Sequence, residues 1–328
     1  MGTLERERER YVGHCLASST FRTYESGFNA YISFCSLAQF PFFPLVEEHL
    51  ELFVCSLARR LAYDSIKVYL CSVQFFATMN GDRSKISSMS HLYYVLRGIR
   101  ICIGSSRRRP LRRPITIPLL HRLWNHIHLS FCPHDASMLA AATSLAFFGL
   151  LRSSEFTSPS ANKWSHDSLS FQDIKVINNI LTVQIRGSKT DPFKFGSTIR
   201  IGPNSSKLCP VKAMEKYLSL SPLSVGPVFR FSDGTFLTRQ FLSSILASCF
   251  PNGHINTHSF RIGAASTAAS VGVPDSTIQI LGRWSSNAFH RYLRFSNTSV
   301  AQLSQRMASS SSLGRTWNSS WLVSRVIP

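Results

Sequence analysis

Apolar positions along the chain follow two different periods. In "STFRTYESGFNAYISFC" the residues Phe21, Tyr24, Phe28, Tyr31 and Cys35 recur at helical spacing, which predicts a helix with Ser19 or Thr20 as its N-cap. The same spacing predicts a second helix over 46–60. A third begins near Asp64 and carries Ile66, Tyr69, Val73 and Phe76 to a stop at Asn80-Gly81, and a fourth covers 90–103. Together these make an all-helical domain over 15–103, preceded by a charged lead-in over 1–14 of alternating Glu and Arg. Farther along, Leu119, Leu120, Leu123, Trp124 and Ile127 predict a helix over 116–129. "DASMLAAATSLAFFGLLRSSEF" is apolar nearly all round, the mark of a buried helix, here ending in Arg152 and Glu155.

Strand patterns then replace helical ones. "FQDIKVI" and "ILTVQIRGSKTD" flank Asn178-Asn179, a hairpin signal, and "STIRIGP" supplies a third strand. Helices return from Pro210 through Leu218, over 239–249 behind a Thr238 cap, behind Thr257, from Pro274 to near Gly282, and over 286–296 with Tyr292 inside. The fold class is therefore mainly α, a helical N-terminal domain plus a mixed α/β domain over 115–306 with a small antiparallel sheet. A Ser-rich tail covers 307–328.

Charge changes the picture. The 328 residues carry a formal net charge of +19, supplied more by Arg than by Lys. Such an excess predicts a polyanionic partner, most simply nucleic acid, because the guanidinium fork suits phosphate. Between the two domains, "GSSRRRPLRRP" (104–114) combines Gly, two prolines and five arginines, a poor helix and a good linker. Arg107, Arg108, Arg109, Arg112 and Arg113 are candidate DNA contacts; the run also reads as a nuclear import signal or as an exposed tether. Arg59, Arg60 and Lys67 read equally well as a DNA-facing or a solvated basic face.

Eight scattered cysteines form no C-x-x-C pair and lie mostly in apolar runs, which predicts buried, reduced thiols and no zinc site. The charged "MGTLERERER" opening is no secretory signal, and no apolar run reaches membrane-spanning length. A nuclear site is expected in a eukaryote, a cytoplasmic one otherwise, and no secretion.

Candidate chemistry gathers in the second domain. Arg152 ends a buried helix, Lys189 lies in a strand or at its turn, and His258 and Arg261 stand one turn apart in "HSFRIGAAS". Tyr292 follows a Gly-Arg-Trp corner. This set suits chemistry on a phosphodiester. Arginines hold the non-bridging oxygens, Tyr attacks phosphorus, and His and Lys move protons. No carboxylate cluster is available to hold Mg²⁺, so neither metal nor other cofactor is expected. Each residue has a plainer reading. Arg152 would serve as a helix C-cap, Lys189 as a solvated turn residue with Lys194 as rival, His258 as a structural histidine, and Tyr292 as an ordinary half-buried tyrosine with Tyr217 as rival.

The ordered stretches "FFGLLRSSEF", "IRGSKTD", "HSFRIGAAS" and "LGRWSSNAFHRYLR" resemble the tyrosine recombinase (phage integrase) family, and the wording is most like recombinases of eukaryotic mobile elements, the DIRS-like and Crypton-like groups. The "STFRTYESGFNAYISFC" helix is similar to the family's core-binding domain. The resemblance implies a DNA recombinase or integrase that forms a 3′-phosphotyrosyl intermediate without metal or ATP and works as a homo-tetramer on two double-stranded DNA sites. It assigns Arg152 and Arg261 to the scissile phosphate, Tyr292 to attack, Lys189 to the leaving oxygen, and His258 to acid/base work. Glu155 then orients Arg152 or His258. The family usually has His or Trp at the position held here by Arg283, with Trp284 next. Either Arg283 contacts phosphate, or Trp284 packs under the nucleophile and donates its indole N–H. "SVAQLSQRMA" then docks on a neighbouring protomer or caps its own domain. The rival readings are a domesticated protein that only binds DNA, and a type IB topoisomerase-like enzyme, against which His258 argues.

Overall fold

The computed structural model describes residues 2–104, 111–187, 191, 193–221 and 225–294. The chain divides into two units, residues 1–110 and 111–328. The charged lead-in is itself a helix, α1 (Gly2–Gly13), with no buried residue. The first unit's core comes from α2 (Ser18–Ala38), α3 (Glu47–Ala58), α4 (Tyr63–Met79) and α5 (Ser90–Gly104). Helix α2 packs on α4 and α3 on α5, closing Tyr31, Leu50, Phe53, Leu57, Ile66 and Val73 away from water. Ser19 and Thr20 do not cap α2. They lie inside its first turn, and Ala17 holds the cap position with an extended backbone, its carbonyl accepting from Thr20 and Phe21.

The second unit is built around α7 (Pro133–Phe148). Its residues 136–147 are all buried, as an all-round apolar sequence requires. Helices α6 (Ile117–Ser130), α9 (Pro210–Leu220) and α11 (Ser259–Ser270) pack against it, and α10 (Arg239–Cys249) packs on α6. The strands β1 (Ile174–Ile177), β2 (Ile180–Ile185) and β3 (Ser197–Ile201) form an antiparallel sheet in that order. Val183 stands opposite both Ile174 and Ile199, so one face of the sheet joins the core. Asn178 and Asn179 both adopt left-handed φ values, 50° and 59°, the conformation a two-residue hairpin turn demands.

Three local expectations are corrected. Helix α7 stops at Phe148, and the chain turns through Leu150 at φ 48°, so Arg152 instead opens the short α8 (Ser153–Phe156). Thr257 does not cap α11. His258 is the cap residue, and Asn256 ties the turn together by accepting from His258 N through its Oδ1 and donating to Ser259 Oγ. Past α12 (Asp275–Leu281), Tyr292 lies at the end of a 3₁₀ turn (Asn287–Arg291) rather than inside a helix. The cysteines also differ from expectation. Cys35, Cys209 and Cys249 are buried, while Cys15, Cys55, Cys71, Cys102 and Cys132 are exposed. Lys189, Arg107, Arg108, Arg109, "SVAQLSQRMA" and the tail lie outside the described residues. No described helix is long and apolar enough to cross a membrane.

The small residues of α11 have a steric cause. Ile115 N donates to Ser259 O, and a Cβ at Gly263 would overlap the Ile115 carbonyl oxygen. The helix thus touches backbone directly. Gly263→Ala is expected to destabilise the second unit by about 1–3 kcal/mol or more, because backbone cannot yield as a side chain does. Denaturant unfolding measures this; a neutral or stabilising result contradicts the close approach.

Candidate active site

Glu155 organises the centre of the second unit. Its side chain is 2% exposed and holds two arginines. Oε1 accepts from Arg152 Nη1 at 3.0 Å, and Oε2 accepts from Arg283 Nη2 and from the Arg152 backbone N–H, both at 2.8 Å. The backbone contact is half of a capping box, so the sequence S-S-E after Arg152 both starts α8 and aims the carboxylate. Arg283, at φ 55° after the Gly282 corner, also reaches the Gly149 and Leu150 carbonyls. The left-handed turn at Leu150 presents these carbonyls.

Arg261 lies deeper and is fully buried. It donates to Leu150 O and to Gly282 O, so it links the end of α7 to the end of α12. Its guanidinium carbon lies 4.1 Å from the centre of the Trp284 ring. Trp284 in turn stands 5.0 Å from the ring of Tyr292, and a Cβ at Gly282 would overlap the indole, which accounts for the glycine of the corner. The His258 ring also lies beside Tyr292, ring centres 5.0 Å apart. Tyr292 is partly exposed.

The electrostatics are lopsided. Arg152, Arg261 and Arg283 supply three positive charges, and Glu155 is the carboxylate that acts on both Arg261 and Arg283. Burial, then Arg152 and Arg283, push the Arg261 pKa down; burial does the same to Arg283. Arg261 Nε and Arg283 Nε are buried with no hydrogen-bond partner among the described residues. A buried positive excess with unsatisfied N–H groups is costly and is relieved by an anion. Among the described residues, no three His, Cys, Asp or Glu side chains converge to hold a metal ion.

Burial, and then the charges of Arg112, Arg261, Arg152 and Arg239, push the His258 pKa down to about 4, leaving a neutral imidazole at pH 7. Because the folded value lies below the unfolded one, the unfolded chain binds the extra proton between about pH 4 and 6.5. Stability should therefore rise with pH across that window. His258→Gln is expected to flatten this rise by about 1–2 kcal/mol, allowing for the ring's partial exposure. Unfolding curves at several pH values test this, and an unchanged slope contradicts the depressed pKa.

The structure thus brings Arg152, Glu155, His258, Arg261, Arg283, Trp284 and Tyr292 together. Of the rivals, Tyr217 is fully buried in the core, its hydroxyl donating to Val228 O at 2.7 Å. Lys194 is exposed and paired to Asp167. Two contributors went unrecognised in the sequence. Ser266 Oγ donates to Tyr292 O and accepts from Arg294 N, anchoring the tyrosine from the end of the "HSFRIGAAS" stretch. Arg239 is exposed in the first turn of α10. A cation there opposes the helix dipole, a signal the sequence did carry.

No family model matches the sequence, and no curated protein matches it. Solved structures do. The XerH site-specific recombinase bound to a palindromic difH substrate in a post-cleavage complex aligns at TM-score 0.61 and 14% identity, covering 88% of this chain and 79% of that one. A lambda integrase dimer bound to a COC′ core site gives 0.60 at 14% identity, covering 89% and 76%. The Tn1549 transposon integrase in complex with transposon right end DNA gives 0.58 at 14%, covering 94% and 99%. The chain has the fold of these tyrosine recombinases and integrases.

Proposed function

We propose that the protein is a site-specific DNA recombinase or integrase that cleaves and rejoins strands through a 3′-phosphotyrosyl intermediate. The observation that carries this reading is the buried arginine excess beside a partly exposed tyrosine. A phosphodiester supplies the missing anion. Arg152, the most exposed of the three, with its side chain 20% accessible, meets the phosphate oxygens. Arg261 supports it from beneath with a charge held close by Trp284 and two carbonyls. Such preorganised donors stabilise charge that grows in the transition state.

The Tyr292 oxygen attacks phosphorus, its proton passing to the neutral His258, and the bond from phosphorus to the 5′ oxygen breaks. Lys189 protonates that leaving oxygen. Reversal by another 5′-hydroxyl rejoins the strand with no outside energy source, since the phosphotyrosine retains the ester bond. Glu155 and Arg283 position Arg152, so Arg283 takes no phosphate itself, and Trp284 packs beside the nucleophile. The DNA-bound neighbours support a double-stranded DNA partner. A homo-tetramer on two sites, a mobile-element origin and, in a eukaryotic host, a nuclear site of action complete the proposal. Capture on nicked duplexes, chosen by binding from a random pool, tests it. A denaturant-resistant protein–DNA adduct is expected, and its absence overturns the reading.

The linker arginines belong to the same proposal, and Arg112 already acts electrostatically on His258. Replacing Arg107, Arg108, Arg109, Arg112 and Arg113 with Ser should weaken matched and unmatched duplexes alike. The log–log salt slope should shrink by about 0.9 for each phosphate that the variant no longer neutralises. An unchanged slope leaves the linker a tether.

A further inference from the structure

The loop between β2 and β3 carries two large aromatic side chains in the open. Phe193 is 77% exposed and Phe195 is 85% exposed, with ring centres 5.6 Å apart. Single exposed apolar residues are ordinary, but two in contact on a loop tip call for a partner. Their backbone is held. Asp191 accepts from Phe195 N at 3.2 Å and Gly196 N at 2.8 Å, and Lys194 Nζ pairs with Asp167 at 2.8 Å. Both rings line a cavity of about 530 Å³ that is also lined by Ile185, Asp191, Ser197, Arg283, Trp284 and Ser285. That indole and that guanidinium are the ones that contact Tyr292 and Glu155. The cavity therefore borders the arginine cluster through these two residues.

We propose that this recess takes one unstacked nucleobase of the DNA strand held at that cluster. The inference rests on the strand-cleavage reading for the location of the strand. Three features fit this occupant. The recess is large enough for a base within the ordinary range of ligand pockets. Phe193, Phe195 and Trp284 line it, and aromatic side chains stack any base without sequence preference. Ser197, Ser285 and Arg283 in its lining offer hydrogen-bonding partners for the polar edge of a base. An apolar peptide would leave those polar groups unmatched. Apolar or aromatic side chains inserted at a base step hold it open, and a base freed beside the scissile phosphate relaxes the strand there.

The test compares a matched duplex with the same duplex carrying one central unpaired nucleotide, by equilibrium binding. Wild-type protein is expected to bind the bulged duplex about tenfold more tightly. The Phe193→Ala, Phe195→Ala double variant should bind the two duplexes with equal affinity. The Phe193→Leu, Phe195→Leu double variant, which keeps apolar bulk without a π face, should lose most of the preference. Both residues lie on the surface, and a thermal unfolding curve confirms that the fold survives. No preference in the wild type, or a preference retained by the alanine variant, overturns the proposal. Covalent capture is read separately. Capture without the preference removes the base pocket alone, and the preference without capture removes the strand-cleavage reading alone.

Discussion

Tyr292→Phe is expected to abolish covalent capture of DNA while leaving duplex affinity nearly unchanged. The ring remains, so its contacts with Trp284 and His258, both at 5.0 Å between centres, persist. The backbone anchor persists too, because Ser266 Oγ binds the Tyr292 carbonyl and not its hydroxyl. Only the attacking oxygen is removed, and no chemistry on phosphorus follows without it. Gel retardation and denaturing gels on the same nicked duplex separate the two effects. A variant that still forms the adduct removes Tyr292 as nucleophile. One that loses binding as well shows the hydroxyl to be a binding group.

The second large effect concerns Glu155. Glu155→Gln keeps the shape of the side chain but removes the carboxylate that Arg152 and Arg283 share. The buried cluster then holds three guanidinium groups and no counter-charge from that residue. Breaking a buried pair from one side typically costs about 3–5 kcal/mol, and that loss is expected here. Sulfate or phosphate should restore more stability to the variant than to the wild type, because an anion binding only the folded state stabilises it by mass action. Denaturant unfolding with and without sulfate measures both quantities. A loss below about 1 kcal/mol with no difference in anion rescue contradicts a cluster balanced by Glu155.

Elements whose local chemistry agrees with their final place were legible in the sequence. Thr238 caps α10 through a hydrogen bond from Phe241 N, and Asn178-Asn179 turns the β1–β2 hairpin. The buried helix α7 was legible for the same reason, since an apolar surface all round admits no solvent face. What was missed depends on contacts far away in sequence. Leu150 takes a left-handed conformation that its own side chain disfavours, and its carbonyl is met by Arg261 and Arg283 from more than one hundred residues later. No local rule predicts such a turn, so Arg152 read as a helix end. The cysteines misled because an apolar neighbourhood in sequence does not say which face of a helix a residue occupies.

The candidate site divides the same way. The residue types of Arg152, His258, Arg261 and Tyr292 could be picked out by order, but their burial and contacts could not. That Arg261 is fully buried on carbonyls while Arg152 keeps 20% of its side chain accessible follows from the junction of α7, α11 and α12. The ion pair of Arg283 with Glu155 likewise joins residues 128 positions apart, which no local pattern reveals. Phe193 and Phe195 carried no periodic signal, because a loop of this kind has none.

Trypsin digestion of the captured adduct, followed by mass spectrometry, decides whether Tyr292 attacks a phosphate held by the buried arginine cluster. Cleavage after Arg291 and Arg294 isolates Tyr292-Leu293-Arg294, and this peptide is expected to carry the nucleotide through its phenolic oxygen. A nucleotide found on any other tyrosine, Tyr217 included, or an adduct through serine, would contradict that assignment.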